Sequence, residues 1–495
     1  MKKQVKILLL IAMICVLALA TMLVSSALDA EQGDNAWQVV GKGYAATLQD
    51  AVDAADAGDT VKLLKDVTNA TPVTVSKNLT IDGQGFSISF ADMTPAEGED
   101  AVLVTFNAAS ATVTNVKLTA ATSDFLFRNT YTDGVLVLND LVVVNASCAY
   151  HFGTVGSHVK FTGAKTDITT MNQLVYSAND AIAMGTVKVT VDIAGGQMTS
   201  TGSDGFRLTG NNVELTVLGG TFAAGDIFYI PSGYTGGKVT ICGTTVINAR
   251  SDGMCFGPVT IKIYGNVTIN APAGNGVVLT EGANLSVAGK FTVTAKNKGI
   301  IVNTGNAGDG NTTMVVLGTE AGQDKNGVKD DIYIVTTQVG DKTKSSTPVQ
   351  VSNQSSNVTI WSGYYSGGSM ALFITQTSSA DVEERVDVTI HGGKFLTSGT
   401  WGTGGYNSGI YFRGHTLTIN GGFFSFVDVD PENINFTTSY TNGLLNYNIT
   451  TSAKDGEGNS IYNTTTFYES GKTTTKPVYT CIPVTVLHRT KASPV

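Results

Sequence analysis

The chain is expected to be all-β, a single-stranded parallel β-helix, or solenoid, with one short helix near its N-terminal end. Three observations predict this. Short strand-like phrases run into glycine at a nearly fixed interval, as in Val191-Asp192-Ile193-Ala194-Gly195, Leu215-Thr216-Val217-Leu218-Gly219 and Val239-Thr240-Ile241-Cys242-Gly243. From Gly195 the steps are 24, 24, 22, 24 and 29 residues, through Gly265 and Gly289 to Gly318. Such a period with strand character is the mark of a repeat architecture. A second strand-like piece precedes many of these glycines, among them Phe206-Arg207-Leu208, Ile227-Phe228-Tyr229-Ile230 and Gly276-Val277-Val278-Leu279. The composition agrees: 14% charged residues, 56 glycines and 10 prolines suit strands and tight corners and exclude a disordered chain.

In chain order, the first 30 residues read as an export signal. Lys2, Lys3 and Lys6 precede an apolar run over residues 7–24, and Ser25-Ser26-Ala27 or Leu28-Asp29-Ala30 offers small residues for cleavage. If it is not cleaved, the run is just long enough to act as a membrane anchor. Cleavage after Ala30 would remove three lysines and one aspartate and move the net charge from −9 to −11. That charge argues against nucleic-acid binding, which rests on cationic contacts. Residues 31–66 form the N-terminal cap. Within it, Leu48, Ala51, Val52 and Ala55 fall on one helical face, Thr47 is a suitable N-cap, and Gly58 is expected to end the helix.

Residues 67–425 carry about fourteen coils. The first rung is Leu79-Thr80-Ile81-Asp82-Gly83; weaker ones follow at Val113 to Leu118, Val135 to Asp140 and Val159 to Gly163. The 45-residue step from Gly318 to Gly363 reads as two rungs, and two steps of 29 then reach Gly392 and Gly421. Alternation sends Val388 and Ile390 inward and Thr389 and His391 outward. Phe222, Phe395 and Phe423, each placed after a double glycine, are expected to stack in one interior column. An array of β-sandwich domains is the competing reading, disfavoured because no linker breaks the rhythm. Residues 426–495 lose the period and read as a cap or tail, with one strand-like piece at Pro483 to Leu487.

Cys15 leaves with the signal. Cys148, Cys242, Cys255 and Cys481 have no spacing typical of zinc or redox sites and allow three pairings; Cys148 and Cys242 are too far apart to bridge, a Cys242–Cys255 bridge is open but not indicated, and buried free thiols are expected at least as readily. The oxygen-rich turn over 324–331, with Asp324, Asp330 and Asp331, is spaced like a calcium loop but lacks the closing glutamate. No cofactor is therefore expected. Eleven Asn-x-Ser/Thr triplets are expected by chance in so Asn- and Thr-rich a chain.

The phrase Leu48-Gln49-Asp50-Ala51-Val52-Asp53-Ala54-Ala55-Asp56-Ala57-Gly58-Asp59-Thr60-Val61, followed by Asn78-Leu79-Thr80-Ile81-Asp82-Gly83, resembles the opening of pectate-lyase-like right-handed β-helix proteins. Rung endings such as Gly219-Gly220-Thr221-Phe222 and Gly392-Gly393-Lys394-Phe395 are similar to those of adhesin-like secreted and cell-surface proteins of bacteria and archaea. The resemblance covers residues 45–430 and implies a right-handed β-helix. It does not imply one activity, because this fold hosts lyases, hydrolases, esterases and adhesins alike. The catalytic phrases of the enzyme families are missing: Gly414-His415 is followed by Thr416, and Asp124-Phe125-Leu126-Phe127-Arg128 echoes an esterase phrase without its partners. The column before each rung glycine, from Asp82 and Ala194 through Leu317 and Ser362 to His391, shows no recurring carboxylates. His391 and His415, on neighbouring rungs, are spaced to face the same side, but no catalytic residue is expected. Trp361, Tyr364, Tyr365, Trp401 and Tyr406 cluster within two coils, and Trp361, Tyr364, Trp401 and Tyr406 are the candidate carbohydrate contacts.

The expected function is adhesin-like: a monomeric extracellular or cell-surface scaffold that binds glycans or host-surface components without catalysis. A polysaccharide lyase or glycoside hydrolase with a divergent site is the alternative.

Overall fold

The computed structural model describes residues 28–93, 101–121, 124–177, 185–234, 236–280, 282–303, 312–320, 332–338, 346–352, 356–368, 370–375 and 386–397, with the strands Ser408–Arg413, Thr416–Ile419, Phe423–Ser425, Tyr468–Thr473, Lys476–Cys481 and Val484–Leu487. The chain is nearly all β, and its strands pair in long parallel ladders, compatible with a β-helix or solenoid. Each turn contributes up to three strands.

The first ladder starts at Thr60–Leu63 and passes through Leu79–Asp82, Ser110–Thr114, Val135–Asn139 and His158–Thr162 on its way to Val386–Ile390 and Thr416–Ile419. A second ladder runs from Val67–Ala70 through Thr244–Ala249 and Asn266–Ala271 to Phe423–Ser425. Lys188–Ser200 and Val213–Ala224 bend through both of these ladders. The third is a 13-stranded sheet from Val73–Val75 to Ser408–Arg413. It contains the strand-like pieces that precede the rung glycines, such as Phe206–Leu208 and Phe228–Ile230.

The registers explain the core. Strand side chains alternate, so parallel in-register pairing stacks like on like. In the first ladder one interior column reads Ile81, Val113, Leu138, Phe161, Val191, Val217, Ile241, Ile263, Val287, Leu317, Ile360 and Ile390. All are buried. At about 1.5–3 kcal/mol per buried aliphatic side chain, each turn is held mainly by contact with the turns above and below.

Three register expectations need correction. Leu317 pairs directly with Ile360, so the 45-residue step is one turn and not two. Its extra length lies in connections between strands, where length costs little. Leu317 is interior, and Ser362 is nearly buried, so neither belongs to the outward column; Trp361 takes the place given to Ser362. In the second ladder Tyr365 stands over Phe395, and Phe395 over Phe424, one residue beyond the expected Phe423. The aromatic column is also interrupted: between Phe222 and Tyr365 the same position holds Ile247, Ile269, Val293 and Ile334.

Rung glycines lie above one another where backbones approach. A Cβ on Gly265 would come within 2.7 Å of the Gly243 nitrogen, and one on Gly289 within 2.4 Å of the Gly265 nitrogen. Gly243 and Gly265 also take φ values of +64° and +120°, which L side chains rarely adopt.

The expected helix is Leu48–Ala54, with Leu48, Ala51 and Val52 buried. The Thr47 hydroxyl accepts the Asp50 N–H at 3.1 Å. The helix ends at Ala55, which turns extended; Gly58, with φ +95°, lies in the following turn and is not the helix end. Lys77 closes that end by donating to the carbonyls of Asp53 and Ala55 at 2.6 and 2.7 Å. The helix also reaches the first strand of the third ladder. Gln49 accepts the Thr74 N–H at 2.9 Å and donates to the Thr74 carbonyl at 3.2 Å. Trp37–Val39 pairs antiparallel with Thr60–Leu63. At the other end Val484–Leu487 lies antiparallel to Thr416–Ile419, and Lys476–Cys481 to Phe423–Ser425. Residues 1–27 of the expected export segment and the turn over 324–331 fall outside the described residues; Asp29, just beyond, bridges antiparallel to Tyr44.

Candidate functional site

The described candidate contacts meet at one corner of the stack. Strand Ser356–Ile360 of the first ladder ends, Gly363 turns with φ +127°, and Tyr364–Gly367 of the second ladder begins. Trp361 sits on this corner. Its N–H bonds to the Leu317 carbonyl at 2.8 Å, and the His391 N–H bonds to the Ile360 carbonyl at 2.7 Å, which fixes the two residues one coil apart. Their rings stack at 3.7 Å and 7°. Partial burial holds the His391 imidazole below its ordinary pKa, against the opposing pull of Glu320.

Tyr364 faces outward in register between Tyr333 and Lys394, and its ring stacks on Tyr333 at 4.7 Å and 11°. Tyr333 is 43% exposed. Alternation sends Tyr365 the other way: it is fully buried, stacks on Phe395 and donates its hydroxyl to the Ser362 carbonyl. Trp401, Tyr406 and His415 lie outside the described residues, so Trp361 and Tyr364 are the two candidate contacts that can be placed. Among the described residues Cys148, Cys242 and Cys255 carry no disulfide, so no Cys242–Cys255 bridge forms.

A second column of polar and aromatic residues lies on the third ladder. It reads Arg128, His151, Tyr176, Arg207 and Tyr229 on five successive coils; His151 is buried and the other four are half-buried. Arg128 Nη2 lies 2.6 Å from His151 Nδ1. Phe125 stacks on His151 at 4.9 Å and lies nearly parallel to Tyr176, 6.5 Å away. The Arg207 guanidinium sits 5.1 Å from the Tyr229 ring centre and 3.5 Å from Asp204.

Beside this column the turns before the third-ladder strands repeat an acid. Asp204, Asp226 and Asp252 stand on consecutive coils, followed by Asn275. Asp226 Oδ1 accepts the Asp252 N–H at 2.9 Å, and Asp252 Oδ1 accepts the Asn275 N–H at 2.7 Å. The Cys255 thiol approaches the remaining oxygens, at 3.7 Å from Asp226 and 3.9 Å from Asp252. Burial, then the neighbouring Asp226, raises the Asp204 carboxyl pKa. The Asp252 carboxyl is raised by burial first and Asp226 later. Burial and the same aspartates push the Cys255 thiol far up, so it is not a ready nucleophile. A ligand atom from each of Asp226, Asp252 and Cys255 lies within 4.8 Å of the others. That donor set would suit a divalent cation, although its atoms are already engaged between coils.

The expectation that carboxylates do not recur at the coil period is therefore overturned. They recur, but at the turn before the third-ladder strand and not before the rung glycine. The signal was in the sequence, as Asp204-Gly205-Phe206, Asp226-Ile227-Phe228, Asp252-Gly253-Met254 and Asn275-Gly276-Val277. No family model, curated protein or solved structure matches the chain.

Proposed function

We propose that the protein is a secreted or surface-exposed, right-handed β-helix that binds glycans as a non-catalytic, adhesin-like scaffold. The right hand follows from the strong preference of parallel crossovers for that sense. The helix Leu48–Ala54 with strand Trp37–Val39 is the N-terminal cap, covering edges that would otherwise pair with other chains. One observation carries the binding role: two outward ring stacks, Trp361 on His391 and Tyr333 on Tyr364, occupy adjacent turns at one corner. Planar apolar faces held rigid by stacking suit the C–H faces of sugar rings, and rigid anchors lose little entropy on binding. Partners are extracellular glycans or cell-surface components. A glycan array probed with the full chain tests this. Trp361→Ala and Tyr364→Ala should each lose signal about tenfold, the size expected for one stacking contact of ~1.4 kcal/mol. Unchanged binding in both variants would refute the corner as the contact site.

A polysaccharide-cleaving enzyme is the second reading, favoured by the acid column. Asp252, its carboxyl raised by burial, would serve as general acid with Asp226 as its partner. Oxygens within 4.8 Å are closer to the spacing of retaining than of inverting glycosidases. The test is the appearance of new reducing ends, or of unsaturated products from uronic-acid polymers, lost in Asp252→Asn. Neither product from any polysaccharide offered would leave the binding reading alone.

A further inference from the structure

We propose that the outer face of the second ladder, from Gln197 to Thr294, binds the surface of ice. It stops one coil short of Tyr333 and does not depend on the binding role given to the corner of Trp361 and Tyr364.

Two outward columns cross five successive coils in parallel register. One reads Gln197, Thr221, Val246, Thr268 and Thr292, the other Thr199, Ala223, Asn248, Asn270 and Thr294. Gln197 and Asn248 are exposed and the rest are half-buried, while Met198, Phe222, Ile247, Ile269 and Val293 between the columns are buried in the core. None of the outward residues in these columns is charged. The first-ladder face of the same coils carries five charges, Lys188, Asp192, Glu214, Lys238 and Lys262. Around the second-ladder patch, charges keep to the borders, at Asp167 on the preceding coil and at Arg250, Lys290 and Lys296 beside it.

The grid these side chains form selects the partner. Neighbouring strands lie ~4.8 Å apart and alternate residues along a strand ~6.6 Å apart, so the two columns make a flat, regular lattice. On the prism face of hexagonal ice, water oxygens repeat close to the first spacing in one direction and close to the second in the other. Threonine and valine are stiff about χ1, and Asn270 Nδ2 donates to Asn248 Oδ1 at 2.9 Å, so the grid is held before anything binds. Methyl groups order the water above them, and the interleaved hydroxyls and amides anchor it by hydrogen bonds. A charged side chain would keep its own hydration shell and break such a layer. Other partners match less of this. No position in either column is aromatic, so the face lacks the planar anchors on which sugar rings stack. Without charge it offers nothing to polyanions or lipid headgroups. Its extent, about 24 by 10 Å, is well short of the ~800 Å² per partner of a stable protein interface, which sets aside a second copy of the chain. Ice needs no such area, because a growing crystal overgrows and traps what has attached to it.

The test is partition of the full-length protein between a slowly growing ice front and the remaining liquid, together with the shape of single ice crystals in its solution. The protein should concentrate in the ice and facet the crystals. Thr268→Lys and Thr292→Lys should each reduce capture to that of an inert tracer protein, with thermal unfolding unaltered. Thr216→Lys, on the first ladder, and Trp361→Ala should leave capture unchanged. Thr268→Ser, which keeps the hydroxyl and loses the methyl, should give intermediate capture. Exclusion of the parent protein from ice to the level of the tracer would overturn the proposal. So would undiminished capture of both lysine variants, an equal loss in Thr216→Lys, or binding to crystalline cellulose in place of ice. A dimer in sedimentation that both lysine variants dissolve would make the face a contact between copies and overturn it as well. Should the lysine variants fail to fold, Thr268→Ser decides alone: full capture there would end the proposal.

Discussion

At the residue scale, stacked backbones decide which positions are negotiable. A methyl group on Gly265 would press on the Gly243 nitrogen and oxygen at 2.7 and 2.8 Å, both backbone atoms of the coil below. Gly58 has φ +95° but nothing within 4 Å. Gly265→Ala should therefore cost clearly more than Gly58→Ala, about 3 against 1 kcal/mol by chemical denaturation. His158 sets a pH dependence. Its imidazole is lowered to about 4 by burial, with Lys160 and Lys188 adding to the shift, and Nε2 lies 2.9 Å from the Thr190 hydroxyl. The folded form thus binds this proton less readily than the unfolded chain. The contribution is full above about pH 6.5 and is lost as pH falls toward about 4. Because the ring is only part-buried, a change on the order of 1–2 kcal/mol is expected, and His158→Asn should flatten that part of the profile. Residue-level signals were legible where alternation was strict, as at Val388, Thr389 and Ile390. They failed by one position at Ser362, whose outward place Trp361 takes, and the second-ladder register pairs Phe395 with Phe424 and not with Phe423, because a rung that reaches its glycine early or late shifts the pairing by one residue.

At the element scale, the ends are held by few contacts. Gln49 meets both backbone groups of Thr74 on the first strand of the third ladder. Gln49→Ala should lower stability by about 1 kcal/mol, and hydrogen exchange at Thr74 should rise well before exchange at Val217. In the middle of the stack, Ile241 is sealed between Val217 and Ile263. Ile241→Ala should cost about 2–5 kcal/mol, since neighbours pinned by ladder hydrogen bonds cannot close the cavity. The first-ladder strands and the helix could be read from the chain because their apolar periods are strong. The acid column is not legible from the rung glycines, because the corner before them holds Leu218, Cys242 and Tyr264, while the acids occupy a different corner of the same coils. The long turn between Leu317 and Ile360 counts as two in the sequence period but is one in the structure, because residue count measures chain length and not turns.

At the scale of the whole molecule, the account rests on coils stacked one per repeat along a single axis. The outward column Thr190, Thr216, Thr240, Lys262, Ser286, Val316, Thr359 and Thr389 follows that axis, one residue per coil. Four steps separate Thr190 from Ser286, and seven separate it from Thr389. At ~4.8 Å per coil the backbone separations are about 19 and 34 Å. The most direct measurement is electron–electron distance spectroscopy on spin labels at these two pairs, with the native thiols replaced by alanine. The predicted result is two narrow distributions that differ by about 14 Å, the rise of three coils. A difference near 19 Å would mean that the turn after Leu317 is two coils, and distances unrelated to the number of intervening coils would contradict the stacked architecture itself.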